Sequence, residues 1–184
     1  ATPERMDGKN IYEICDYNVP YEITLKDAIN KGMLVPFHYY GIFDSTDYSK
    51  LHMVKGRYDE KELNETYIGN VKRYDLIYKY YCKYGSKRAL GFCCSRVHAN
   101  DMAREFCKRG IPAVAVYSNS DGGFSENRET AIGKLKTGEI RVIFSVDMFN
   151  EGVDITSIDM VMFLRPTESP VVFLQQLGRG LRKS

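Results

Sequence analysis

From about residue 86 the chain alternates short apolar runs with amphipathic stretches. Ala89-Leu90-Gly91-Phe92-Cys93-Cys94 reads as a buried strand, and Ala99, Met102, Ala103 and Phe106 follow at helical spacing. Gly110 and Pro112 stop that helix. Ala113-Val114-Ala115-Val116-Tyr117 is the next strand, and a polar loop from Ser118 to Gly123 leads to a helix near 125–137, ended by Gly138. Arg141-Val142-Ile143-Phe144-Ser145-Val146 and Met160-Val161-Met162-Phe163-Leu164 read as a third and a fourth strand, and Ser169-Pro170 as a helix start. Apolar strands separated by helices predict an α/β fold with a doubly wound parallel sheet. Ligands of such sheets sit beyond the carboxyl ends of the strands, here the segments after Cys94, Tyr117, Val146 and Leu164.

The first 85 residues are less regular. The run from Val35 to Phe43 reads as a strand, placed at a sheet edge because Pro36 lacks a donor. A charged, mobile stretch is expected over about 44–62, and one helix near 66–84 with Ile68, Val71, Ile77 and Tyr78 on its packing side. Tyrosines 74, 78, 80, 81 and 84 sit among lysines. Such rings can stack bases, but amphipathic packing with the hydroxyls in water is the favoured reading.

Composition narrows the classes. At 184 residues and 43% hydrophobic content the chain can bury a core, and a net charge of +2 excludes a histone-like positive blanket, so a nucleic-acid contact has to be a local groove. Five cysteines without a CxxC pair, and no secretory leader, read as reduced thiols of a cytoplasmic protein. The three histidines fall at no metal-ligand spacing, so no metal site is expected. No apolar run approaches the roughly 20 residues that span a bilayer, and no membrane partner is expected. The opening Ala1-Thr2-Pro3-Glu4-Arg5 and the close at Arg182-Lys183-Ser184 are both read as cuts in a longer polypeptide.

Two motifs carry chemistry. Gly152-Val153-Asp154 follows the third strand; the glycine permits close approach of a ligand and the carboxylate can accept from a ribose hydroxyl, while a turn glycine with a helix-cap aspartate is the plainer alternative. Near the end, Gln175-Gln176-Leu177-Gly178-Arg179-Gly180-Leu181-Arg182 places two arginines on one face of a helical segment. Their forked, permanent charge suits phosphate oxygens, and the alternative is a basic helix end that complements the macrodipole.

Taken together, Gly-x-Asp and the Gln-x-x-Gly-Arg-x-x-Arg about twenty residues later resemble the last two signature motifs of superfamily 2 helicases. Leu90-Gly91-Phe92-Cys93-Cys94-Ser95 stands where that superfamily has its fourth motif, and Ala1-Thr2-Pro3 looks like the tail of the third. The run from Phe149 through Phe163-Leu164-Arg165-Pro166-Thr167-Glu168-Ser169 to Arg182 is most similar to DEAD/DEAH-box-like helicase subunits of type III restriction enzymes.

The resemblance implies a RecA-like, P-loop-NTPase-like helicase C-terminal domain over 35–184, preceded by the end of a first motor domain and a linker over 1–34. It implies that Arg179 and Arg182 are arginine fingers, and that Gly152, Asp154, Gln175 and Gly178 form part of an ATP site. Ser95, Arg96, Tyr117, Ser118, Ser145 and Asp147 would line a nucleic-acid track. The implied cofactor is ATP with Mg2+ held by an upstream RecA-like domain of the same polypeptide. The implied substrate is DNA, double-stranded ahead of RNA, in a restriction or repair system. Gln176 and Val146 depart from the pattern, where many members carry arginine and threonine.

No GxxxxGK[ST] loop and no acidic metal-binding box occurs, so the segment alone is expected neither to hydrolyse ATP appreciably nor to unwind a duplex. A catalytically silent binding module on the same fold is the competing reading. An unrelated small-substrate Rossmann-like enzyme predicts a glycine-rich fingerprint after the first strand, and the sequence has none.

Overall fold

The protein's structure, a computed structural model, describes residues 40–54, 57–118, 121–146 and 158–166, together with residues 27, 30–32 and 38. Its elements are a short hairpin, β1 (Met53–Val54) and β2 (Arg57–Tyr58), then α1 (Glu60–Tyr67) and α2 (Val71–Tyr84). There follow β3 (Ala89–Phe92), α3 (Arg96–Lys108), β4 (Ala113–Val116), α4 (Arg128–Thr137), β5 (Val142–Ser145) and β6 (Met160–Phe163).

The last four strands form a parallel sheet in the order β4-β5-β3-β6. The crossover from β3 to β4 passes over β5, and the return from β4 to β5 runs the other way. Right-handed connections in opposite directions put α3 and α4 on opposite faces. The two cores show this. Ala89, Cys93, Ala115 and Phe144 pack with α3 residues Met102 and Phe106 and with Tyr74 and Tyr81 of α2. Leu90, Phe92, Val114, Val116 and Ile143 pack with Ala131 and Leu135 of α4. Period-two alternation along each strand therefore serves two apolar layers at once.

Gly91 is required by packing: a Cβ there would lie 2.5 Å from Cδ1 of Phe144. The open edge of β4 is covered by its own loop, since Ala115 N–H donates to Phe124 O (2.8 Å) and Glu126 N–H to Ala115 O (3.0 Å). The Asp159 carboxylate accepts from the backbone N–H of Lys87 (2.9 Å) and Arg88 (3.2 Å), which pins the start of β6 to the start of β3.

Four expectations are corrected. Residues 40–47 have no regular secondary structure, so the described part of the expected edge strand at 35–43 is absent. The expected charged loop at 44–62 holds a 3-10 turn, the hairpin and the first turn of α1, with Asp59 capping α1 through Lys61 and Glu62 N–H. The helix near 66–84 is two helices. Gly69 takes a positive φ (76°) and Asn70 starts α2 by accepting from Arg73 N–H (3.1 Å). Consequently Val71 is exposed, and Arg73, Tyr74 and Tyr81 face the core. Finally, β6, expected from its apolar run to be buried on both faces like the other strands, is only half-buried, as suits an edge strand.

Candidate functional site

All four strands point their carboxyl ends the same way, so the segments after Phe92, Val116, Ser145 and Phe163 leave from one side of the sheet. Ser95 lies there as the N-cap of α3. Its hydroxyl accepts from His98 N–H (3.0 Å) and donates to Asn64 Oδ1 of α1 (2.5 Å), and the residue is buried. Both roles of that hydroxyl are thus engaged within the protein. Arg96 and Ser118 are exposed neighbours, with Arg96 Nη2 donating to Ser118 Oγ (2.9 Å) across 22 positions of sequence. The structure brings together these two sequence-predicted residues and places their polar groups in solvent.

Tyr117 is buried beneath the loop after β4, where a Cβ on Gly122 would run into its hydroxyl. Ser145 is fully buried as the last residue of β5, and its Oγ has no hydrogen-bond partner among the described residues. Buried hydroxyls are normally satisfied, so this is a polar group at a strand end without a structural task among the described residues. The neighbouring backbone is engaged, since Cys93 N–H donates to Ser145 O (2.8 Å) and Leu164 N–H to Phe92 O (3.0 Å).

Behind this face lies a polar cluster that sequence reasoning did not find. His98 is fully buried, stacked obliquely on Tyr67 with ring centroids 5.1 Å apart. Its Nδ1 accepts from Cys94 N–H (3.4 Å) and lies 3.2 Å from Cys94 Sγ, which puts the ring proton on Nε2, a group without a partner among the described residues. Burial, and then the nearby Arg73 cation, push the imidazole down to about 3, so it is neutral. Burial likewise raises the Cys94 thiol to about 11. A neutral imidazole beside a protonated thiol is a packing pair, not an activated nucleophile.

Arg73 completes the cluster. Its guanidinium, 7% exposed, lies over the Tyr67 ring (3.9 Å to the centroid), pairs with the Asp44 carboxylate and donates from Nη2 to Leu164 O (2.8 Å). One side chain therefore joins the N-terminal flank, α1, α2 and the carboxyl end of β6. The partners are 29 and 91 positions away, so no local pattern announces them.

Asp147, Gly152, Asp154, Gln175, Gly178, Arg179 and Arg182 lie outside the described residues, as does the helix start at Ser169-Pro170. What the fold supplies is their points of departure: the chain leaves β5 toward 147–157 and β6 toward 167–184, on the two sides of β3. Among the described residues, no group of three His, Cys, Asp or Glu side chains is placed to hold a metal ion. No helix among them is long and apolar enough to cross a membrane.

Comparison with known proteins matches residues 72–184 to the helicase conserved C-terminal domain. A 51.5 kDa protein of a Lactococcus phage (isolate 7-9) is 30% identical over 182 residues, covering 99% of this chain and 39% of the phage protein. The putative ATP-dependent helicase IRC3 of Saccharomyces cerevisiae is 27% identical over 195 residues, covering 99% of this chain and 26% of the yeast protein. Among solved structures, the E. coli DEAD-box protein SrmB bound to regulator of ribonuclease activity A superposes with a TM-score of 0.50 at 21% identity, covering 58% of this chain and 61% of that one. The chain thus spans well under half the length of the two curated relatives. With its parallel sheet, opposed helices and profile match over most of its length, the chain belongs to the helicase conserved C-terminal domain family, the RecA-like C-terminal domain of superfamily 2 helicases.

Proposed function

We propose that this chain is the second motor domain of an ATP-dependent helicase or translocase, supplying half of an ATP site and part of a nucleic-acid track. The observation that carries the reading is the family match over 72–184, joined to a sheet that sends the two motif-bearing segments out beside β3. In this reading Arg179 and Arg182 reach the phosphates bound by an upstream RecA-like domain and stabilise charge that spreads over the transferring group. Asp154 accepts from the ribose, Gly152 and Gly178 allow close approach, and Gln175 holds the nucleotide or links it to the nucleic-acid side. Mg2+ ligands belong to the upstream domain.

On the track, the exposed Arg96–Ser118 pair meets backbone phosphates, and Ser95 sets the turn that presents it. Tyr117, Ser145 and Asp147 complete that face. Backbone contacts position a strand without reading its sequence. DNA, double-stranded, is the proposed substrate from the motif resemblance to type III restriction subunits; more partial matches include an ATP-dependent DNA helicase, a DNA 3'-5' translocase and RNA helicases.

The test is ATP turnover by the full-length protein, with and without double-stranded DNA, for the native sequence and Arg182→Ala. The expected result is DNA-stimulated hydrolysis that falls by about 10³-fold or more in the variant, as for loss of an arginine finger. Native protein without any hydrolysis would move the reading to a silent binding module.

A further inference from the structure

The outer face of α2 carries a feature that the motor motifs do not use. Lys72, Lys79 and Lys83 recur at i, i+7 and i+11, so they share one stripe of the helix, about 16 Å long. All three are exposed, and no carboxylate pairs with them among the described residues. Beside the stripe, Tyr84 stacks on Tyr40 (centroids 4.1 Å apart, planes 20° apart) and on Tyr80 (5.9 Å, 23°). Lys83 Nζ sits over both helix rings, 5.5 Å from the Tyr80 centroid and 5.4 Å from that of Tyr84. Tyr40 is 52% exposed. The other tyrosines of α2 are used differently: Tyr74 and Tyr81 are core residues, and Tyr78 packs edge-on against Phe106.

Three stacked rings, and three exposed lysines with no carboxylate partner among the described residues, make on one surface the combination that holds a single nucleic-acid strand: lysines track phosphates while bases extend the ring stack. A duplex does not fit it, because its base faces are already stacked. The position is equally telling. The ring stack lies at the C-terminal end of α2, which leads through Gly85 into the start of β3, so it sits by the amino ends of the strands. The described residues of the proposed track, Ser95, Arg96, Tyr117, Ser118 and Ser145, lie by the carboxyl ends.

We propose that this face of α2 is a second nucleic-acid contact, a docking surface for single-stranded nucleic acid remote from the motor cleft. It rests on the reading that the parent protein works on nucleic acid.

The experiment measures binding of a fluorescent dT20 oligonucleotide to the full-length protein by anisotropy across a salt series. The variants are Lys72→Ala/Lys79→Ala/Lys83→Ala, the same three positions changed to Arg, and Tyr80→Ala. In the alanine triple the slope of log affinity against log salt should shrink by about 2, at roughly 0.7 per phosphate contact for a single strand. The arginine triple should retain the slope. Tyr80→Ala should weaken binding by about fivefold or more, as loss of a stacked base does. An unchanged slope and affinity in the alanine triple overturns the proposal. So does an unaltered protein that binds inorganic polyphosphate as tightly as the oligonucleotide, because the rings would then contribute nothing. Failure of the motor reading looks different: it is the loss of nucleic-acid-stimulated ATP hydrolysis in the unaltered protein, whatever the oligonucleotide does.

Discussion

At the scale of single residues, the core and the strand ends make opposite demands. Gly91 sits under Phe144, whose ring is itself held edge-on by Phe106 with centroids 5.0 Å apart. The ring has no free end to swing away, so Gly91→Ala should destabilise by about 1–3 kcal/mol, read as a lower urea midpoint at constant slope. Ser145 is the reverse case. Its hydroxyl is buried without a partner among the described residues, so Ser145→Ala should leave stability unchanged or raise it by up to about 1 kcal/mol. If the residue also serves the nucleic-acid track, the same variant lowers DNA-stimulated ATP turnover; a variant that melts earlier and turns over normally would make Ser145 purely structural. His98 sets a pH dependence. Unfolded, the imidazole takes a proton near 6.5; folded, burial and then Arg73 hold it down to about 3. Between those values the unfolded chain binds the extra proton, so this contribution is full above pH 6.5 and falls by about 1.4 kcal/mol per unit below it. The paired His52 has its value raised by Glu62 and acts in the opposite sense, losing its contribution as pH rises through that raised value. In denaturation between pH 6 and 5 His98 contributes such a slope, and His98→Gln should flatten it there relative to the unaltered protein. An equal slope in both proteins would mean that the ring is protonated in the fold.

At the scale of elements, Arg73 shows how the part of the molecule before the sheet is fastened to it. The guanidinium joins Asp44, the Tyr67 face and Leu164 O, so removing it leaves the Asp44 carboxylate without its cation, still held by Thr46 N–H, and a buried carbonyl without its guanidinium donor. Arg73→Ala should cost about 3–5 kcal/mol, and a double-mutant cycle with Asp44→Ala should show a coupling of roughly 1–3 kcal/mol by urea denaturation. A coupling near zero would reduce the contact to an ordinary surface pair. The same elements show why the sequence is legible in one half and not in the other. The strands β3, β4 and β5 are buried on both faces, so each is an apolar run whose limits shift only by a residue or two in the structure. The stop at Gly138 is equally local, a left-handed C-cap with φ 81°. The break between α1 and α2 was written in Gly69-Asn70, yet Ile68 and Val71 read across it as one apolar face. Two-residue strands such as β1 and β2 leave no periodicity to read. At the candidate site, Arg96 and Ser118, named from the motif resemblance, are hydrogen-bonded to each other. The sequence did not foresee that Ser95 and Tyr117 are turned inward, nor the pairing of Arg73 with Leu164, which depends on how distant elements pack.

At the scale of the molecule, the proposed division of labour between two motor domains sets what this chain is expected to do with ATP by itself. The proposed ribose and phosphate groups, Asp154, Arg179 and Arg182, are a clamp, and the sequence holds no phosphate loop to enclose the triphosphate. A clamp without its enclosure is expected to bind at about millimolar affinity or not at all, near −4 kcal/mol. Ligand stabilisation follows from that figure. At 1 mM ATP and a Kd of about 1 mM the gain is about 0.4 kcal/mol, which moves the melting temperature of a domain this size by about 1–2 °C. The full-length protein, with both halves of the cleft and Mg2+ present, should instead shift by several degrees at the same ATP concentration. Arg179→Ala in that protein should shrink the shift, because in the proposed reading the arginine closes the cleft on the phosphates. Thermal melts with and without ATP on the chain and on the full-length protein decide the matter. A shift above about 5 °C in the chain alone would place a complete nucleotide site within these 184 residues and overturn the two-domain account.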